Sequence, residues 1–371
     1  MYMGNILSYL DVYGNVTMDK QEFNSIDNVI LCEFAYIDFV GIAATDNSQI
    51  TIQEAYKKMM RSGQGVVPTR GSRFISTYTP LMEKLAASKR FQNAKLSNLV
   101  DIYDDVKHMQ FAAMSIHLDD DSIYIVFRGT DQTIIGWREN FTMTYQVMPA
   151  QLEAAAYIDN TIRPNGKYRI GGHSKGGNLA LYAAMMCRDD LKEHVIKVYN
   201  NDGPGINKEM FDEKRFNLIK DKILFTVPQS CIIGMIYDNG VDKQVIKSSK
   251  YGIMQHDTLS WMVEGNSFVP AERLHSDSSS FNAIVIEWLE DMDIIEREAL
   301  TSHFFGALAV SGAKSLYDIP KGGIGSVGYI LRTLIKSKKE AKAATRKLAR
   351  TVGRNIQKRV RFGSRRKENN E

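Results

Sequence analysis

The sequence predicts an α/β protein built on a mostly parallel sheet with helices on both faces. Two observations carry that expectation. Between about residues 108 and 300, short runs rich in β-formers alternate with stretches whose apolar residues recur at helical spacing. Three of those short runs end in turn or polar residues, "GGHSKGG", "NNDGPG" and "VPQS", and in parallel sheets ligands sit beyond the carboxyl ends of the strands. With 371 residues, 44% of them hydrophobic, the chain is long enough for one large core.

The elements follow in order. "FNSIDNVILCEFAYIDF" places Ile26, Val29, Ile30 and Phe34 on one helical face, and "TIQEAYKKMMRSG" reads as a second helix stopped by Gly63. We assign residues 1–105 to an N-terminal helical segment of a domain spanning 1–320. "MQFAAMSIHL", "DDDS" and "IYIVFRGTD" then read as two strands around a tight turn. "QLEAAAYIDNTI" is helical and "KYRIGGHS" is a strand running into glycines. "GNLALYAAMMC" is a helix with Leu179, Ala183 and Met186 along one face. "HVIKVYNNDGPG" and "KILFTVPQS" are further strands, and "FNAIVIEWLEDMDIIEREAL" is a late helix. The apolar run Phe304 to Val310 and "GGIGSVGYILRTLI" read chiefly as core, with an acyl-binding or lid role as the other option.

Residues 321–371 form a linker and a basic tail. From Lys336 to Glu371 there are fourteen Lys and Arg against three Glu, while the remainder carries 33 basic and 40 acidic residues. The tail and the body therefore have different partners. Leu348, Val352, Ile356 and Val360 lie four apart on an otherwise basic helix. Residues 336–367 thus suit an anionic membrane surface, with nonspecific nucleic-acid binding less favoured and a solubilising tail as the plain reading.

Composition excludes several classes. Cys32, Cys187 and Cys231 are odd in number and far apart, so they give neither a disulfide framework nor metal-ligand spacing. The opening "MYMGNILSYLDVYGN" has no basic n-region before its apolar residues. No stretch without Asp, Glu, Lys or Arg is longer than Ala299 to Ala313, which is short of the ~20 residues that span a bilayer. A cytoplasmic protein is expected, with peripheral attachment to the inner face of the membrane as an extension. "GGHSKGG" lacks P-loop spacing, and no cofactor or metal is expected.

"GHSKG", Gly172 to Gly176, fits the G-x-S-x-G pattern of a strand–turn–helix that exposes a nucleophilic serine. Small residues two before and two after Ser174 allow that sharp turn, and the helix N-terminus faces the developing oxyanion. Such a serine needs a base. His108 and His117 precede it, His173 lies inside the turn, and His194 starts a strand at the far end of the sheet. Among His256, His275 and His303, His256 in the loop-like "YGIMQHDTLSW" is the preferred base.

"YIVFRGTDQTIIGWRENFTM" and "YRIGGHSKGGNLALYAA" together resemble the paired signatures of fungal-type class 3 lipases. The opening "NILSYLDVYGNVTMDKQEFNSIDNVILCEFAYIDF", with "NNDGPGI", "VPQSCIIGMI" and "GIMQHDTLSW", is similar in content and order to a bacterial lipase-like group, the Mbeg-like hydrolases, over about residues 4 to 300. The resemblance implies an α/β-hydrolase fold and a serine esterase or lipase forming an acyl-enzyme. It assigns the oxyanion hole to Thr130 and the backbone N–H of Lys175, and the substrate to a carboxylic ester, perhaps of a lipid. The chain departs from the pattern where an Asp is expected near Gln229 or Ser230. Asp202 in "NNDGPG" is the preferred substitute, with neighbouring Asp257, or a Ser–His dyad steadied by Gln229 or Ser230, as alternatives. The missing acid leaves a second reading open, a weak or inactive hydrolase fold serving as a scaffold docked by its tail.

Overall fold

The computed structural model describes residues 4–69, 75–130, 134–143, 145–231, 233–274 and 291–310, with isolated positions at 287, 343, 346, 347 and 350. Helices α1 (Ile6–Tyr13) and α2 (Ser25–Phe34) start at Asn5 and Asn24, whose side chains accept hydrogen bonds from the exposed amides of the first turn. Strand β1 (Ile50–Thr51) leads into α3 (Ile52–Arg61), and α4 (Ile75–Ala87) completes the N-terminal group.

The main sheet continues with β2 (Lys95–Asp104), β3 (Met109–His117) and β4 (Ser122–Phe127), each antiparallel to its predecessor. From β4 onward the sheet is parallel, through β5 (Lys167–His173), β6 (Val195–Asn201), β7 (Ile223–Pro228) and β8 (Lys243–Ile246). Helix α5 (Ile134–Thr142) follows β4, then α6 (Pro149–Thr161); α7 (Lys175–Met186) follows β5 and α8 (Glu213–Asn217) follows β6. A small hairpin, β9 (Val263–Glu264) with β10 (Ser267–Phe268), and α9 (Ile294–Val310) close the described chain. The mostly parallel α/β sheet expected from the sequence is present.

One boundary needs correction. The N-terminal segment is helical only to Ala87, because residues 95–104 form a long strand pairing with β3. In "KLSNLVDIYD" the apolar residues fall in the adjacent pairs Leu99–Val100 and Ile102–Tyr103, which hides the two-residue alternation of the strand.

Strand order follows sequence order across the whole sheet. Right-handed crossovers that always step the same way put their helices on one face. Residues of α6, α7 and α8 accordingly pack in one core with Ile125, Phe127 and Ile170. The opposite face, carrying Tyr124, Val126 and Met114, is covered by the N-terminal helices instead. Both faces are covered, by elements of different origin. The tail, 336–367, and the run 311–335 lie outside the described residues apart from the isolated positions. One of those, Lys347, reaches Glu296 at 2.6 Å.

Candidate active site

Ser174 stands at the joint of β5 and α7 with φ 58° and ψ −127°. A positive φ at a non-glycine residue costs about 1–3 kcal/mol and persists only where the surroundings enforce it. Here the enforcement is visible. The Ser174 N–H donates to the Asn201 carbonyl at 3.0 Å. A Cβ at Gly172 would fall 2.2 Å from the Gly176 backbone, and one at Gly176 would fall 2.2 Å from the Phe127 carbonyl. Any larger residue at either place would prise the turn open. As the first residue of α7, Lys175 has an amide with no partner inside the helix.

The loop after β4 presses against this turn. A Cβ at Gly129 would lie 2.5 Å from the His173 carbonyl, which sets Thr130 beside the elbow. The Thr130 hydroxyl donates to Asn140 Oδ1 at 2.9 Å, so its proton is committed to α5. The Lys175 side chain points the other way. It is fully buried, bonded to Glu139 at 2.6 Å and to the Gln110 carbonyl and Oε1 at 2.5 and 2.8 Å. Residues 139 and 140 of one helix therefore hold both halves of the expected oxyanion hole. The Trp137 side chain lies outside the described residues.

His256 ends a short 3₁₀ turn (Gly252–His256). Its Nδ1 lies 2.7 Å from Asp202 Oδ2, donating a hydrogen bond to that carboxylate. Asp202 is 1% exposed and follows β6 in the left-handed region, φ 49°. Its other oxygen accepts from the Cys231 thiol at 2.7 Å and the Gly234 amide at 3.1 Å. The alternative acid is occupied elsewhere, since Asp257 pairs with Lys250 at 2.5 Å and caps the Leu259 amide. Gln229 and Ser230 turn their amides to the Ile246 carbonyl and to Gln255 Oε1. Among the described residues, no hydrogen bond joins Ser174 to His256. Such links often tighten only around a bound substrate. His303 lies in α9, bonded to the Ala299 carbonyl, and His275 lies outside the described residues.

Several residues escaped the sequence reading. His173, 7% exposed, donates from Nε2 to the His256 carbonyl at 2.9 Å, and the two rings lie 4.6 Å apart. Burial and the neighbouring His256 push its pKa well below the usual imidazole range, so it serves as a neutral strut. Glu33 of α2 accepts from Thr258 Oγ1 at 2.8 Å and lies 3.8 Å from His173 Nδ1. Burial raises its pKa to about 7, against the hydrogen bond from Thr258. Asn28, also of α2, exchanges hydrogen bonds with Asn201, which in turn donates to the Gly172 carbonyl. The signal available in the sequence was the set Asp27, Asn28 and Glu33 inside an otherwise apolar helical run.

Among the described residues no group of three or more His, Cys, Asp or Glu is placed to hold a metal ion, and no helix is long and apolar enough to cross a membrane. The crystal structure of M37 lipase matches with 15% sequence identity and a TM-score of 0.35, covering 58% of this chain and 71% of that one. No curated protein matches the chain. A family model described as Mbeg1-like matches residues 85–306, from the end of α4 into α9 and across every residue discussed at the site except those of α2. With more than half its length matched, the chain belongs to the Mbeg1-like family.

Proposed function

We propose that the protein is a serine carboxylic-ester hydrolase with Ser174 as nucleophile, His256 as base and Asp202 as the acid that orients it. The observation that carries this reading is the 2.7 Å bond from His256 Nδ1 to Asp202 Oδ2, close to a serine held in a strained elbow. With its Nδ1–H hydrogen-bonded to the carboxylate, the neutral imidazole keeps a lone pair on Nε2 to accept the serine proton. Ser174 Oγ attacks the ester carbonyl carbon as His256 Nε2 takes the proton. The backbone N–H groups of Lys175 and Thr130 receive the oxyanion, each worth about 3 kcal/mol. The Thr130 hydroxyl instead orients its loop through Asn140. Collapse of the intermediate expels the alcohol, protonated by His256, and water activated by the same histidine releases the acid.

The turn that carries His256 exposes Tyr251 (88%) and Met254 (57%), a rim that suits esters with apolar acyl groups. That the ester is a lipid rests on the family resemblance. The basic tail, 336–367, fits attachment to an anionic membrane surface, which would hold the enzyme at the inner face. The scaffold reading keeps one point in its favour, the missing Ser174–His256 hydrogen bond.

Labelling with a fluorophosphonate separates the two, because the probe needs an activated serine but no particular substrate. The expected result is strong labelling of the wild type, none in Ser174→Ala, and a fall of about 10³-fold or more in rate in His256→Ala. A folded wild type that stays unlabelled would leave the scaffold reading in possession.

A further inference from the structure

We propose that Cys231 is a positioning residue for the proposed catalytic acid: its thiol donates to Asp202 Oδ1 and so keeps Oδ2 turned toward His256. The kinetic consequence rests on the hydrolase reading above; the structural claim stands apart from it.

A buried carboxylate needs hydrogen bonds on both its oxygens to offset the water it has lost. Asp202 has them divided by function. Oδ2 takes the imidazole, while Oδ1 takes the Cys231 thiol at 2.7 Å and the Gly234 amide at 3.1 Å. Two donors on one oxygen define the rotation of the group about its Cβ–Cγ bond. Position 234 has no room for a side chain, since a Cβ there would sit 2.7 Å from the same Oδ1. Cys231 is 1% exposed, and burial together with the facing carboxylate raises its pKa well above the usual thiol value. It stays protonated, the only form able to donate.

The location explains the departure noted in the sequence. Class 3 lipases are expected to carry the acid just after the strand that here is β7. In this chain that segment holds no acid but grips one supplied by β6. The Cys231 amide closes a turn onto the Pro228 carbonyl at 2.9 Å, aiming the thiol at Asp202. One residue earlier, the Ser230 amide donates to Gln255 Oε1 at 2.8 Å, on the turn that bears His256. The end of β7 thus holds the acid by Cys231 and the base's turn by Ser230.

The test compares Cys231→Ser, which keeps a donor, with Cys231→Ala and with Cys231→Val, which fills similar space without one. The first readout is the proton NMR signal of the His256 Nδ1–H, assigned by its loss in His256→Gln, which requires no turnover. We expect a downfield signal in the wild type and Cys231→Ser, and its loss or upfield movement in Cys231→Ala and Cys231→Val. The second readout is hydrolysis of a p-nitrophenyl ester. There kcat should fall about tenfold in the two donorless variants, the rate equivalent of one hydrogen bond to a charged group, with KM unchanged and with serine restoring most of the rate. A signal that survives in Cys231→Val overturns the proposal whether or not the protein hydrolyses esters. So does a serine variant as impaired as valine, since packing alone would then explain the residue. An unlabelled wild type whose signal follows the donor would sink the hydrolase reading and leave the positioning claim standing.

Discussion

The two faces of the sheet differ in how far hydrogen bonds share in holding their helices. The crossover face is packed chiefly by Leu179, Leu181, Ala183 and Ala184 of α7 against Ile125, Phe127 and Ile170, and its buried polar groups are a few local pairs, Lys175 with Glu139, Asn178 with Gln151 and Tyr157 with Ser115. The face under the N-terminal helices has a comparable apolar content but is threaded with buried polar groups. Asp27 and Arg90 form an ion pair with both side chains fully buried, and Arg90 also donates to the carbonyls of Val16, Gln21 and Glu22. Asn28 links Tyr124 to Asn201, and Glu33 meets Thr258. An apolar face fixes a helix by shape, which tolerates small slides. A hydrogen-bonded face fixes it by register, because each misplaced donor leaves a buried group unpaired. The second kind of attachment lies where α2 passes behind Asn201, the elbow and the His256 turn, so accuracy is concentrated where the proposed chemistry needs it.

The comparison is broken most severely at Arg90. Arg90→Met leaves the Asp27 carboxylate buried without its cation and should cost about 3–5 kcal/mol, read as a shift in the urea midpoint. Replacing both partners, Asp27→Leu with Arg90→Met, should recover only the part of that loss due to the unpaired charge, since the carbonyls of Val16, Gln21 and Glu22 and the Asn24 amide stay without their partners. If the single variant costs less than about 1 kcal/mol, below the range for broken buried pairs, the polar face is not held as described. On the apolar face, Leu181→Ala should cost about 2–5 kcal/mol through lost burial and the cavity left behind. Fluorophosphonate labelling of the surviving folded protein should remain, since no hydrogen bond to the site passes through that side chain. Loss of labelling in folded Leu181→Ala would show that the two faces are not separable in this way.

What could be read from the sequence follows the same division. Periodicity identifies α2, α7 and the parallel strands, because burial on one or both faces writes a repeat into the residues. Gly172, Ser174 and Gly176 announce the elbow through their spacing; Gly172 is crowded from within the motif by Gly176, whereas Gly176 is crowded by Phe127 of the neighbouring strand. Asp202 stands out only because the class 3 lipase resemblance calls for an acid that is missing after "VPQS". Its bond to His256 spans 54 positions, which no local pattern encodes. β2 is hidden in the helical segment because its apolar residues fall in the adjacent pairs Leu99–Val100 and Ile102–Tyr103, although burial alternates from Val100 to Asp104. Glu33, His173 and Cys231 were legible only as oddities, polar or reactive side chains in apolar surroundings. Their meaning depends on partners brought together by the fold.

The finest test of the polar face is electrostatic. Glu33 has a folded-state pKa of about 7 against an ordinary value of 4.5, mainly from burial, with Asp257 adding to the rise and His256 opposing it. Below pH 4.5 the carboxyl is protonated in folded and unfolded chains alike and contributes nothing differential. Between 4.5 and about 7 the unfolded chain has released its proton while the folded chain retains it. The folded state then binds more protons, so this group's contribution to stability falls as pH rises through that window, and the penalty is complete above about 7. Glu33→Gln keeps an acceptor for Thr258 but carries no charge to desolvate. The variant should match the wild type in urea unfolding near pH 4 and exceed it at pH 8 by about 1–3 kcal/mol. Stability profiles that run parallel from pH 4 to 8 would mean that Glu33 is charged in the folded protein throughout. In that case α2 would present the His173–His256 pair with a permanent anion rather than a neutral acid, and the register argument for this face would need an added attractive term.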